Sequence, residues 1–246
     1  MTNWLEPTTI ADYGHPSIQR LIDTRRWRDL SPYARVGAAY DFVRDEVRFG
    51  YNASDDLPAS GVLAEGLGQC NTKGNLLVAL LRGLGLSTRF HGFTIDKALQ
   101  VGAIPRWLHP VAPRRILHSW VEVSWEGRWI ALEGFILDRA YLQALQARFP
   151  RAVGFTGYGV ATLDLRDPPV RWRGEPTYIQ KEGIVDDFGV FDHPDDLYRR
   201  HGTNLSGARR VLFQQVFRHA MNRTVARIRA TKDESATDSG PTRSVG

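Results

Sequence analysis

Cys70 is the one cysteine in the chain, and it stands where a helix should begin. It lies in Gly68-Gln69-Cys70-Asn71-Thr72-Lys73-Gly74-Asn75, ahead of Leu76, Leu77, Leu80, Leu81 and Leu84 at helical spacing. A helix start carries partial positive charge and N–H groups without intrahelical acceptors. Both favour a thiolate over a thiol. A single cysteine forms no intramolecular disulfide, and without a second one nearby it offers no structural thiolate metal site. Two roles remain for it, a nucleophile or an inert buried thiol.

A cysteine nucleophile needs a base within hydrogen-bond reach, and the base needs an orienting group. His118 is the candidate base, in Ile116-Leu117-His118-Ser119-Trp120-Val121-Glu122-Val123. Strand alternation puts His118, Trp120 and Glu122 on one face and Leu117, Ser119, Val121 and Val123 on the other. Glu126-Gly127 reads as a two-residue hairpin turn into Arg128-Trp129-Ile130-Ala131-Leu132-Glu133. Trp125 then pairs with Arg128, and counting outward pairs Trp120 with Glu133. That places Glu133 on the His118 face as a diagonal neighbour, roughly 7–8 Å away at the backbone. An odd loop length would send it to the opposite face. Glu122, roughly 13 Å along the strand from His118, is a poor direct partner. Asp138 is the alternative third member. Gln69 and Trp120 are candidate supports, Gln69 for the oxyanion beside the Cys70 amide. Gly74 costs about 1 kcal/mol against Ala inside a helix, which suggests close approach of the His118 strand.

The elements that must position these groups follow from the same patterns. Residues 17–31 and 33–47 read as helices, the second with Ser31 as N-cap and Pro32 at its first position. Residues 48–60 read as a loop, and the Cys70 helix ends near Leu84. Strands are expected at about 86–95, 115–125 and 128–133, and a helix at 139–149. The long loop 96–115, with Gly102, Pro105, Pro110 and Pro113, is suited to a rim or lid. Residues 150–205 should hold short strands at best, and 207–230 a long helix capped by Ser206. The expected organisation is one domain over 1–230, with a core at about 33–138, a C-terminal elaboration at 139–230 and a disordered tail at 231–246.

Composition is that of a globular protein, 42% hydrophobic and 24% charged, with seven Trp. The start of the chain shows no signal peptide, and no stretch reaches a membrane span. A cytoplasmic protein with a reduced thiol is expected. The formal charge of +5 raises nucleic acid as a partner. The arginines, however, accompany no zinc-finger, RRM or basic-zipper pattern and read as a solvated helix face, so neither nucleic acid nor membrane is expected. The other six histidines show no paired metal spacing, and no cofactor is expected. The acids in Asp186-Asp187 and His193-Pro194-Asp195-Asp196 read as solvated loop residues.

The chain resembles the transglutaminase-like superfamily, with its papain-like core. The matching runs are Gly68-Gln69-Cys70 through Leu80-Leu81-Arg82-Gly83-Leu84-Gly85-Leu86-Ser87-Thr88-Arg89, then His118-Ser119-Trp120-Val121-Glu122-Val123 and Gly127-Arg128-Trp129-Ile130-Ala131-Leu132-Glu133. Tyr40 to Phe49 looks like the helix leading into the site. The resemblance covers about 36–138 and implies an α+β fold, with a nucleophile helix packed on an antiparallel sheet. It also implies a Cys–His–Asp triad, which falls on Cys70, His118 and position 133. Here Glu133 stands in place of the usual Asp, and Asn71 in place of the usual aromatic. The implied chemistry is acyl transfer through a thioester on a peptide or small-molecule acyl substrate. Three readings stand: a hydrolase acting on amides, an acyltransferase or cyclase that excludes water, and a silent binding module that keeps the fold.

Overall fold

The computed structural model describes residues 4–204 and 207–237. Two helices open the chain, α1 (Pro16–Thr24) and α2 (Pro32–Asp45). Each begins on a proline, after a residue whose side chain accepts a backbone N–H: His15 from Ser17, and Ser31 from Ala34. The first helix stops at Thr24 instead of running to residue 31, and a 3-10 turn at Trp27–Asp29 bridges the remainder. Residues 48–60 are not all loop. β1 (Arg48–Phe49) pairs in parallel with β2 (Leu67–Gly68), and α3 (Ala59–Glu65) lies between them in sequence. This short pairing brings the segment after Phe49 alongside the residues that precede Cys70.

α4 (Cys70–Gly83) follows, and every residue from Cys70 to Arg82 is buried. A helix surrounded on all sides needs a scaffold around it. The sheet supplies one wall, built from β3 (Thr88–Asp96), β4 (Arg115–Trp125) and β5 (Arg128–Leu132). After α5 (Arg139–Arg148) and the small hairpin β6 (Phe155–Gly157) and β7 (Val160–Thr162), a fourth strand joins them, β8 (Ile184–Phe191). The order is β5-β4-β3-β8, with every neighbouring pair antiparallel. Phe90, Leu117, Val121 and Val123 join the main core with Leu76, Leu77 and Leu80 of α4, while Phe93, Trp120 and Ala131 form a separate cluster on the other face. The fold is thus a mixed one, with the cysteine helix packed on an antiparallel sheet.

β8 departs from the expectation for residues 150–205. It carries Asp186, Asp187 and Gly189 and breaks register twice against β3. Such a half-exposed edge strand leaves little alternation to read. The C-terminal part continues as α6 (Pro194–His201), α7 (Gly207–Leu212), a π-helical turn at Phe213–Phe217 and α8 (Arg218–Thr237). α8 extends past residue 230, so the first part of the expected tail is helical. Ser206 and residues 238–246 lie outside the described residues. Among the described residues, no helix is long and apolar enough to cross a membrane.

Candidate active site

The hairpin turn fixes the register on which the site depends. Glu126 and Gly127 both have positive φ, 48° and 75°, as a two-residue turn matched to strand twist requires. Trp125 faces Arg128, and the ladder closes at Val121 opposite Leu132. One residue further on, Glu133 leaves the ladder. Its N–H donates to the Thr177 carbonyl (3.0 Å). Its side chain lies on the His118 face, as the count from the turn requires, and Oε1 is 2.7 Å from His118 Nε2. Glu133 Oε2 accepts two backbone N–H groups, from Ile179 (2.8 Å) and Gln180 (3.0 Å). His118 and Glu133 are fully buried.

Cys70 opens α4 beside this pair. Burial alone would push the His118 pKa down. The Cys70 sulfur, followed by Glu133, more than reverses that and raises it to about 10. The sulfur lies within electrostatic reach of the ring, although among the described residues His118 Nδ1 makes no formed hydrogen bond. Such contacts often tighten only when substrate binds. With Glu133 as acceptor, the Nε2 proton is held in place, and Nδ1 is the nitrogen left to exchange a proton with Cys70.

The residues around Cys70 are tied down by polar contacts. Gln69 N–H donates to Thr72 Oγ1 (3.1 Å), Gln69 Oε1 accepts from the Asn52 amide (2.9 Å), and Gln69 Nε2 reaches Asp55 Oδ1 at 3.3 Å. Asn71 is fully buried and clamps β4 on both sides of His118. Its Nδ2 donates to the Leu117 carbonyl (3.0 Å), and its Oδ1 accepts from Ser119 Oγ (2.8 Å). An aromatic at this position would make neither bond. Asp55 joins the set through Asn71 Nδ2 (3.0 Å) and the amide and side chain of Asn204 (2.9 and 3.0 Å). Lys73 is fully buried, and its Nζ donates to the carbonyls of Arg44 (3.1 Å) and Ile136 (2.9 Å). The second bond pins the turn after Glu133 to the cysteine helix. Burial pushes the Lys73 amine down to about 7.

Three expected residues are placed differently. Asp138 does not approach His118. It caps α5 through Tyr141 N–H (2.9 Å), accepts from Phe49 N–H (2.8 Å), and binds the Arg229 guanidinium at 2.6 Å. Burial would raise its carboxyl, but Arg229 holds it below the ordinary range. Trp120 is no oxyanion donor, because its indole N–H is engaged by Glu122 at 3.2 Å. Its ring instead packs on Phe93, centroids 4.1 Å apart, and Phe93 lies 6.2 Å from the His118 ring. The close neighbour of Gly74 is not the His118 strand. A Cβ there would stand 3.0 Å from the Phe90 ring of β3. Glu122 is held by Arg89 (2.6 Å) and His91 (2.9 Å), away from His118.

Cys70 and Gln69 border a cavity of about 650 Å3. Its other walls come from the 96–113 loop, from β3 and β4, and from Phe213, Phe217 and Met221 near the C-terminal helices. Sequence reasoning missed Asp55, Lys73 and Gln180 here. A lysine three residues after the cysteine, on a helix otherwise rich in Leu, was a readable signal for burial. Nothing in the sequence marks Gln180, which reaches Glu133 from a segment without regular structure.

Residues 24–134 match the family model of the transglutaminase-like superfamily. The matched residues include Cys70, His118 and Glu133. No curated protein matches the sequence. One similar solved structure is described as a candidate cysteine protease from Cytophaga hutchinsonii. It is 16% identical with a TM-score of 0.44, and the alignment covers 78% of this chain and 47% of that one. The chain therefore spans about half the length of that protein.

Proposed function

We propose that the protein is a cysteine-dependent acyl-transfer enzyme whose main reaction is amide hydrolysis. The observation that carries this reading is the buried His118–Glu133 pair, within electrostatic reach of Cys70, which itself borders the cavity. His118 Nδ1 takes the proton from Cys70 Sγ, or already holds it in a preformed thiolate–imidazolium pair, while Glu133 holds Nε2–H and stabilises the imidazolium. The thiolate attacks the substrate carbonyl carbon, and the oxyanion turns toward the Cys70 amide and Gln69 Nε2. The tetrahedral intermediate collapses as the leaving amine takes the proton from His118, which leaves a thioester on Cys70. Water, deprotonated by the neutral ring, then releases the acid and restores the thiol.

A second reading is favoured by the apolar walls of the cavity and the complete burial of His118. Both restrict water, so an amine or carbon nucleophile could resolve the thioester instead. Intact-mass measurement with activated acyl esters tests these readings. Wild type should gain one acyl group and Cys70→Ser none. Release of the adduct by buffer alone supports hydrolysis, and release only on adding an amine supports transfer. Absence of any Cys70-dependent adduct would leave the silent binding module.

A further inference from the structure

The cavity beside Cys70 has mostly hydrocarbon walls, and one of its lining residues keeps a buried polar atom without a partner among the described residues. Leu99, Ile104, Ile116, Phe213, Phe217 and Met221 supply much of the lining. Gln180 also lines it and is 4% exposed. Its Nε2 donates to the Gly159 carbonyl at 2.7 Å, which fixes the amide's orientation, since the flipped amide would set oxygen against oxygen. Its main-chain N–H is held by Glu133 Oε2 at 3.0 Å. Among the described residues, Gln180 Oε1 is left buried with no hydrogen-bond partner. A buried carbonyl without a donor is costly, and native structures seldom keep one without a reason.

We infer that the cavity takes an apolar acyl group bearing a neutral N–H donor, as in an N-acylated hydrophobic amino acid, and that Gln180 Oε1 receives that donor. This rests on the acyl-transfer reading for its catalytic consequence, but not for the binding itself. Hydrocarbon alone fills such walls and leaves Oε1 unmet. A cationic amine is disfavoured, because Asp55, the acid in the lining, already accepts from Asn71, Gln69 and Asn204. A secondary amide within an otherwise apolar group satisfies both demands. Gln180 is thus a specificity residue joined through its own backbone to the acid behind His118.

The test uses two thioesters with the same leaving group. One is the N-acetyl-leucine thioester, and the other is its analogue with oxygen in place of the N–H. Each rate is corrected for uncatalysed hydrolysis. Wild type should show kcat/KM at least about tenfold higher for the N–H compound, because a site built around a hydrogen bond rejects the analogue that lacks it. In Gln180→Met the ratio should fall to within about twofold of unity. A wild-type ratio near unity, or a ratio unchanged in Gln180→Met, overturns the inference while leaving acyl transfer standing. Calorimetry with Cys70→Ala and the corresponding unreactive carboxamides separates the two claims. Tighter binding of the N–H compound supports the inference even if neither thioester acylates wild type, an outcome that would refute the acyl-transfer reading alone. Equal binding, or no binding of either, overturns the inference.

Discussion

Glu133→Gln tests the site with the smallest change in shape. In the native arrangement Oε1 faces His118 Nε2 at 2.7 Å, and Oε2 accepts amides at 2.8 and 3.0 Å. A glutamine has one oxygen and one NH2 for these two places. If its oxygen stays on the two backbone N–H groups, its NH2 faces Nε2 and makes that nitrogen the acceptor. The ring proton then moves to Nδ1, where the Cys70 proton should go. If the amide flips, its NH2 meets two backbone donors and leaves them unpaired in the interior. The first arrangement loses the base, and the second keeps the tautomer only by leaving two buried donors without an acceptor. The comparable wrong-tautomer change in a serine triad costs about 10^4-fold. The expected loss here is about 10^3- to 10^4-fold in the acylation rate constant, or ~4–5.5 kcal/mol. Glu133→Asp should lose less, because it keeps the charge and only shortens the reach. The assay is single-turnover acylation of Cys70 by an activated ester, with a cooperative melt showing that the variant is folded. A folded Glu133→Gln that acylates within about threefold of wild type would refute the tautomer argument.

Asp138→Asn should destabilise the fold by ~3 kcal/mol, since it leaves Arg229 without its buried anion. Where it remains folded it should acylate at the wild-type rate, and urea melts paired with the acylation assay check both halves. Gly74→Ala gains about 1 kcal/mol of helix propensity but drives a methyl into the buried Phe90 ring at 3.0 Å, which costs about 1–3 kcal/mol. A lowered urea midpoint is expected, and a raised one would show that the ring yields. The His118 ring, followed by NMR, should titrate well above its ordinary 6.5 in wild type. In Cys70→Ala the midpoint should fall, because the largest upward influence is gone while the burial penalty stays. A folded-state pKa above the unfolded one means that the ring's own contribution to stability is complete below about pH 6.5. It is lost as pH rises through about 10. An unchanged midpoint in Cys70→Ala would place the sulfur out of range of the ring.

The parts of the site that strong local patterns control were readable in the sequence. Ser31-Pro32 starts α2, the leucine spacing sets α4, and Glu126-Gly127 fixes the register of β4 and β5. From that register alone the side of Glu133 could be counted. The rest depends on contacts between distant segments with no local period. β8 is an edge strand interrupted by acids and a glycine, and its pairing is set by β3. Asp55, in an irregular stretch, gains its role only when β1 pairs with β2. Asp138 had the right chemistry for the third position, but it serves as a helix cap and as the partner of Arg229, some ninety residues away. The cavity was not readable at all, because Phe213, Phe217 and Met221 reach it from the far end of the chain.

The glutamate at position 133 fits its place for a geometric reason. The ladder ends at Val121 and Leu132, and continuing it would set Glu133 opposite Trp120, as a diagonal neighbour of His118. Glu133 instead turns its backbone N–H to Thr177 and sends a long side chain along the sheet to the ring. The backbone around it is fixed by Lys73 on the Ile136 carbonyl and by the Thr177 bonds. The longer acid is more mobile than an aspartate, and the amides of Ile179 and Gln180 remove that freedom by gripping its second oxygen. The segment 177–180 therefore does for Glu133 what Asn71 does for His118. Each immobilises one member of the group from outside the pair, so that the direction of the ring proton is set before any substrate arrives.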